Sequence, residues 1–89
     1  MKAVISVVGE DKVGILATVS GECAKAKINI LDVSQTIVNG VFTMTMIVEM
    51  TNEDYTLSQF AEHMEKIGKQ RGLVIRVMHQ DIFKSMYEI

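Results

Sequence analysis

Asn39-Gly40 stands between two runs of alternating side chains and constrains the fold of this chain more than any other pair of residues. A two-residue type I′ loop needs positive φ at both central positions, which asparagine and glycine tolerate best. The pair therefore predicts a hairpin with a strand on either side. The loop also sets the register. Val38 opposes Val41, and the pairs continue outward as Thr36 with Thr43, Ser34 with Thr45 and Asp32 with Ile47. Leu31, Val33 and Ile37 then share a face with Phe42, Met46 and Val48. One face is apolar and the other mostly hydroxyl, so a one-residue slip would bury the polar set.

Other elements follow from periodicity. Residues 2–8, KAVISVV, are apolar on both alternating faces apart from Ser6, as in a central strand. Residues 12–26 read as a helix with Ile15, Leu16, Val19, Cys23 and Ala26 on one stripe. Asp11 is placed to cap it by accepting the amide of Val13 or Gly14, and Lys25 and Lys27 complement its C-terminal pole. Residues 57–71 form a second helix. Thr56 and Gln59 make a capping box, Tyr55 and Phe60 a hydrophobic staple, and Gly72 the stop. Leu57, Phe60, Met64 and Ile67 face the core. Residues 73–79 make a fourth strand with Leu73, Ile75 and Val77 on one face. Asp81 is expected to cap a short last helix whose Ile82, Phe83, Met86 and Ile89 form an apolar face.

The order βαββαβ, with two right-handed crossovers interlocked around a hairpin, is that of an α+β ferredoxin-like sandwich. Its antiparallel sheet has the order 4-1-3-2, and both helices lie on one face. The 89 residues are expected to form a single domain, 1–89. An apolar fraction of 48% suffices for a packed core. Net charge is −2 and the nine basic residues form no run longer than a pair, which argues against nucleic acid as a partner. One cysteine makes no internal disulfide and no zinc site by itself. The opening MKAVISVV is too short in apolar length for a signal peptide, and no run nears the ~20 residues of a membrane span. A cytoplasmic protein without membrane contact is expected.

The stretch GEDKVGILATVS, residues 9–20, asks for more than packing. Glycine at a helix start costs about 1 kcal/mol relative to alanine, and Gly9 alone would satisfy a turn. Free amides at the head of a helix form a modest anion site, and Gly14 without a Cβ lets a ligand carboxylate reach the backbone. The competing reading is close packing of Gly14 against the hairpin.

D-K-V-G-I-L, followed by A-K-A-K-I-N-I at the second strand, resembles the ACT domain, the small amino-acid-sensing module of metabolic enzymes. The resemblance covers essentially the entire chain and points to a small bacterial protein consisting of one such domain. It implies a ligand site made by the side chain of Asp11 and the backbone around Val13, Gly14 and Ile15. Asn29 and Ile30 at the start of the second strand complete it, often from a neighbouring subunit. Several amino-acid-binding members carry asparagine where this chain has Asp11 and proline where it has Val13. An aspartate pairs with a ligand ammonium and repels its carboxylate, or serves only as the helix cap.

The resemblance implies a non-catalytic regulatory module that binds an amino acid or similar small metabolite and acts in trans on a protein target of unknown identity. No cofactor is expected. Micromolar affinity needs about 8 kcal/mol, against a ceiling of roughly 1.5 kcal/mol per ligand atom. An amino acid of about seven heavy atoms must then be nearly enclosed. A homodimer or larger assembly is expected to do this, built side by side through the second strand, an edge without proline or lysine. The alternative is an assembly module with a vestigial site and glycines retained for packing.

Other chemistries fit less well. His63 and His79 have no clustered carboxylates or thiolates, and solvated or capping roles suit them better than metal binding. Cys23 reads as a small core residue. No serine or threonine has a base at a useful spacing. An acyl-phosphate hydrolase wants an arginine near the first loop, where only Lys12 is available. A metal chaperone of this topology wants paired cysteines there, and an RNA-binding sheet wants exposed aromatic residues.

Overall fold

The predicted hairpin forms, with Asn39 and Gly40 at φ 51° and 79°. In the computed structural model, which describes residues 1–10, 13–51 and 55–87, the chain order is βαββαβ followed by a helix. The elements are β1 (Lys2–Glu10), α1 (Ile15–Lys25), β2 (Ile28–Val38), β3 (Val41–Met50), α2 (Leu57–Arg71), β4 (Val74–His79) and α3 (Gln80–Tyr87). The four strands make one antiparallel sheet ordered β2-β3-β1-β4, the expected 4-1-3-2 read from the other edge.

β1 is central, with one face buried along the strand and the other covered only in part, since Val8 there is 37% exposed. Ala3, Ile5 and Val7 are fully buried with Met44, Met46 and Val48 of β3 against Val19 and Cys23 of α1 and Phe60 and Met64 of α2. On the opposite face Val4 is also buried, at the end of the sheet where α3 packs on β1 and β4. Methionine suits such a layer because its flexible thioether fills irregular gaps between helices and sheet.

Register follows the loop from Val38↔Val41 down to Asp32↔Ile47. It then shifts between Asp32 and Ile30, so that Ile30 rather than Leu31 opposes Val48. A bulge places one extra residue on β2 and turns the side chains beyond it by half a period. Leu31, expected in the core layer, is therefore half exposed. Ile37, also expected there, is 57% exposed, because β2 is an edge strand that the helices do not reach at this end.

α2 is bounded as its sequence predicts. The Thr56 amide donates to Gln59 Oε1 at 2.9 Å, the Gln59 amide donates to Thr56 Oγ1 at 3.1 Å, and Gly72 ends the helix at φ 71°. Tyr55 and Phe60 meet edge to face with ring centroids 5.9 Å apart. α1 is shorter than the expected 12–26 and starts at Ile15, because Gly14 at φ 86° lies outside right-handed helical space. Ile15, Val19, Cys23 and Ala26 are buried as expected, whereas Leu16, roughly 100° further around the helix, is 39% exposed. At α3 the capping group is the His79 ring, which accepts the Asp81 amide at 3.0 Å. Asp81 lies inside the first turn. Ile89 falls outside the described residues, and Ile82 and Met86 of the expected apolar face are exposed. No helix among the described residues is long and apolar enough to cross a membrane.

Candidate functional site

Gly9, read as a turn from the sequence, is inside β1 and pairs with Phe42. A Cβ there would lie 2.5 Å from Leu73 Cδ2, so its small size lets β1 pass close to the residue just before β4. Asp11 and Lys12 lie outside the described residues, and so does the expected cap and ligand contact of Asp11. Gly14 occupies the N-cap position of α1 at φ 86°, ψ 8°, with no side-chain cap bond among the described residues. Its carbonyl accepts the Thr18 amide at 2.9 Å, the first bond of the helix. Apart from its chain neighbours, no described residue lies within 4 Å of where a Cβ on Gly14 would stand. The backbone conformation, not close packing against the hairpin, requires glycine here.

A recess of about 440 Å³ opens beside this turn. Val13, Ile15 and Thr18 line it from the start of α1, and Gln70, Arg71, Gly72 and Leu73 line it from the end of α2 and the approach to β4. The topology brings these segments together. β1 and β4 are antiparallel neighbours with Val8 opposite Val74, so the first turn of α1 and the last turn of α2 meet at one end of the sheet. Leu73 is held by its amide donating to the Gly68 carbonyl at 2.8 Å. Ile15 and Leu73 are buried and form an apolar floor, while Val13 is fully exposed. Among the described residues lining the recess there is one guanidinium, Arg71, and no carboxylate.

Asn29 and Ile30 are not part of this arrangement within one chain. Asn29 pairs with Glu49, which also pairs with Lys2, at the far end of β1 from Glu10. At about 3.3 Å per residue the two ends of β1 are roughly 26 Å apart. Val13, Gly14 and Ile15 are thus brought together, and Asn29 and Ile30 are both exposed elsewhere on the edge strand. Thr18, Gln70 and Arg71 carried no signal in the sequence. They belong to no motif, and only the topology, which puts two helix ends at one edge, could have pointed to them.

The outer ends of the helices carry a separate polar cluster. The Glu22 carboxylate lies 2.6 Å from His63 Nε2 and accepts from Lys25 Nζ at 3.2 Å, tying α1 to α2. The His63 bond holds the Glu22 carboxyl below its ordinary value of 4.5, with Lys25 assisting and burial opposing. His63 thus has a structural partner in place of the solvated role expected of it. Next to Glu22, burial pushes the Cys23 thiol up to about 11, which leaves it protonated and unreactive. No group of three metal-ligating side chains occurs among the described residues.

Comparison with known proteins agrees with this architecture. The family model described as "ACT domain" matches residues 2–78. A UPF0237 protein of Pyrobaculum aerophilum is 45% identical over 87 residues, covering 98% of this chain and 97% of the relative. Among solved structures, an ACT domain protein from Streptococcus pneumoniae superposes with a TM-score of 0.83 at 39% identity, covering 98% of each chain. A formyltetrahydrofolate deformylase from Pseudomonas syringae pv. tomato contains a similar fold, with a TM-score of 0.77 and 25% identity over 88% of this chain and 27% of that one. The match along almost the full chain, together with the sheet order and the glycine turn at the head of α1, means that this chain belongs to the ACT domain family.

Proposed function

We propose that this chain is a non-catalytic regulatory module that binds an amino acid or a similar small metabolite at the turn between β1 and α1 and passes its state to another protein in trans. The observation that carries the reading is the recess of ligand size beside Gly14, where none of the other described residues lies within 4 Å of an added Cβ. In this reading Asp11, Val13, Gly14 and Ile15 hold the ligand from one chain. Asn29 and Ile30 come from a second copy.

A homodimer supports that division of labour. β2 is an edge with exposed Ile30, Leu31, Ile37 and Val38, and it lacks the proline or lysine that would block pairing. Antiparallel pairing of β2 with its copy reverses the strand, so Asn29 of the partner subunit arrives at the end where Gly14 lies.

Thermal denaturation against each of the twenty amino acids tests the reading. A ligand at 100 times its dissociation constant adds about 2.7 kcal/mol, a rise of roughly 10 °C or more for a domain of this size. Asn29→Ala should reduce the rise without lowering the ligand-free melting temperature. If all twenty leave the transition unmoved while the protein sediments as a dimer, the sensing reading fails and assembly through the β2 edge is what remains.

A further inference from the structure

The sheet face turned away from α1 and α2 is covered at one end only. Along β1 and its neighbour β4 this face presents three cross-strand pairs: Val4 with Met78, Ser6 with Arg76 and Val8 with Val74. Val4 is buried where α3 packs on both strands. At the other end Val8 and Val74 are exposed, and so is Val41 of β3, diagonal to Val8. The two ends are alike in chemistry and are separated by a polar pair. One carries a helix and the other is open.

α3 has a matching surplus. Ile82 and Met86 stand one turn apart and are each more than half exposed, although the helix is already seated on the sheet. Apolar groups left out on both a strand pair and a helix of one small domain are surfaces of the kind that marks an interaction site. Geometry limits what can fill the open end. Val4 and Val8 lie roughly 13 Å apart along β1, and a helix with its side chains is about 10–12 Å across. A second helix therefore fits over Val8 and Val74, beside the first and in the same layer. Within one chain none is available, because α1 and α2 pack on the opposite face. A second copy carries one of the right kind. A half turn about an axis lying across the strands, above the Ser6–Arg76 pair, lays α3 of each copy on the open end of the other.

We propose that this face is an interface between two copies of the chain, in which each α3 packs Ile82 and Met86 onto Val8, Val41 and Val74 of its partner. The contact is made twice in a closed two-fold pair. Arg76 is exposed on the edge strand β4 and keeps its charge in water beside the axis. The described residues span 38 × 34 × 20 Å, a slab whose broad side has room for the roughly 800 Å² per partner of a standard interface. No residue of β2 takes part, so that edge and Asn29 stay free for the pairing proposed above. Face and edge together give an assembly of four chains, and the face alone gives two.

Sedimentation velocity of the full chain tests this. Val74→Lys, and the double variant Ile82→Glu with Met86→Glu, should each halve the mass of the unsubstituted protein, whether or not the β2 edge also pairs. Their circular dichroism spectra should be unchanged, since all three positions are on the surface. Mixing the two variants should restore the full mass. In the mixed pair the glutamates of one chain meet the lysine of the other at one contact, and the second contact has its natural residues on both sides. A single-chain mass for the unsubstituted protein at submillimolar concentration would overturn the proposal, as would full mass retained by either variant. Folded variants that fail to complement each other would overturn it too, because open ends or helices would then be pairing with their own kind.

Discussion

The two helices that cover the sheet are begun in opposite ways. α2 is closed by its own side chains, with both capping-box bonds made and the Tyr55–Phe60 contact fixing its entry. α1 starts at a left-handed glycine with no side-chain cap among the described residues. The same kind of orphan amide is thus capped by a side chain at one helix and, among the described residues, meets no side-chain cap at the other. The difference teaches how unequally local chemistry fixes two helices of so small a domain: side chains define the start of α2, and the conformation of a single glycine defines that of α1.

The sharpest way to break that comparison is at the close contact of α2 with β4. A Cβ on Gly68 would stand 2.7 Å from the Leu73 carbonyl oxygen and 3.3 Å from the Ile75 amide nitrogen. Backbone cannot retreat as a side-chain tip can, so Gly68→Ala should destabilise by about 2 kcal/mol, even after regaining roughly 1 kcal/mol of helix propensity. Urea denaturation measures this, and a neutral result would show that α2 slides freely on β4. Gly14→Ala meets no neighbour but must hold an alanine at φ 86°. It should cost about 1–2 kcal/mol from conformation alone, with a circular dichroism spectrum unchanged at low temperature. Ligand binding should fall by more than that stability loss explains.

Thr56→Ala removes one half of the capping box and should cost about 1 kcal/mol, read from the same denaturation curves. A cost near zero would mean that α2 is no better capped than α1. The smallest effect concerns the Glu22–His63 link. Glu22 titrates below 4.5 in the folded chain. Its contribution to stability is therefore complete above 4.5 and disappears as pH falls through the lower folded value. Glu22→Gln should flatten that acid limb while changing stability at neutral pH by less than about 1 kcal/mol. An unaltered acid limb would sever the link between the two helices from stability.

Much of this was legible in the residues, and the failures have physical causes. The Asn39-Gly40 loop, the bounds of α2 and the burial of Cys23 came from signals spanning at most a few neighbours, where turn and capping chemistry is decided locally. Reading Asp11 as the cap started α1 at residue 12, and nothing local marked Gly14 as left-handed, so the true start was missed. The bulge that exposes Leu31 was invisible because alternation continues on both sides of it. His79 was the cap of α3 although Asp81 is the commoner type, since a ring nitrogen at the strand end lay within reach.

By itself the sequence determined the elements, their order and the register near the loop, all of which depend on backbone preference and on alternation between few residues. It also singled out Gly14, but as a place of close backbone approach inside a helix and not as the left-handed residue that precedes it. Only the tertiary structure decided what stands around that glycine. Arg71 and Gln70 reach the recess because two antiparallel helices end at one edge of the sheet. Asn29 is removed to the other end by the direction of β2. Proximity between residues dozens of positions apart is set by packing layers against one another, and no local pattern encodes it.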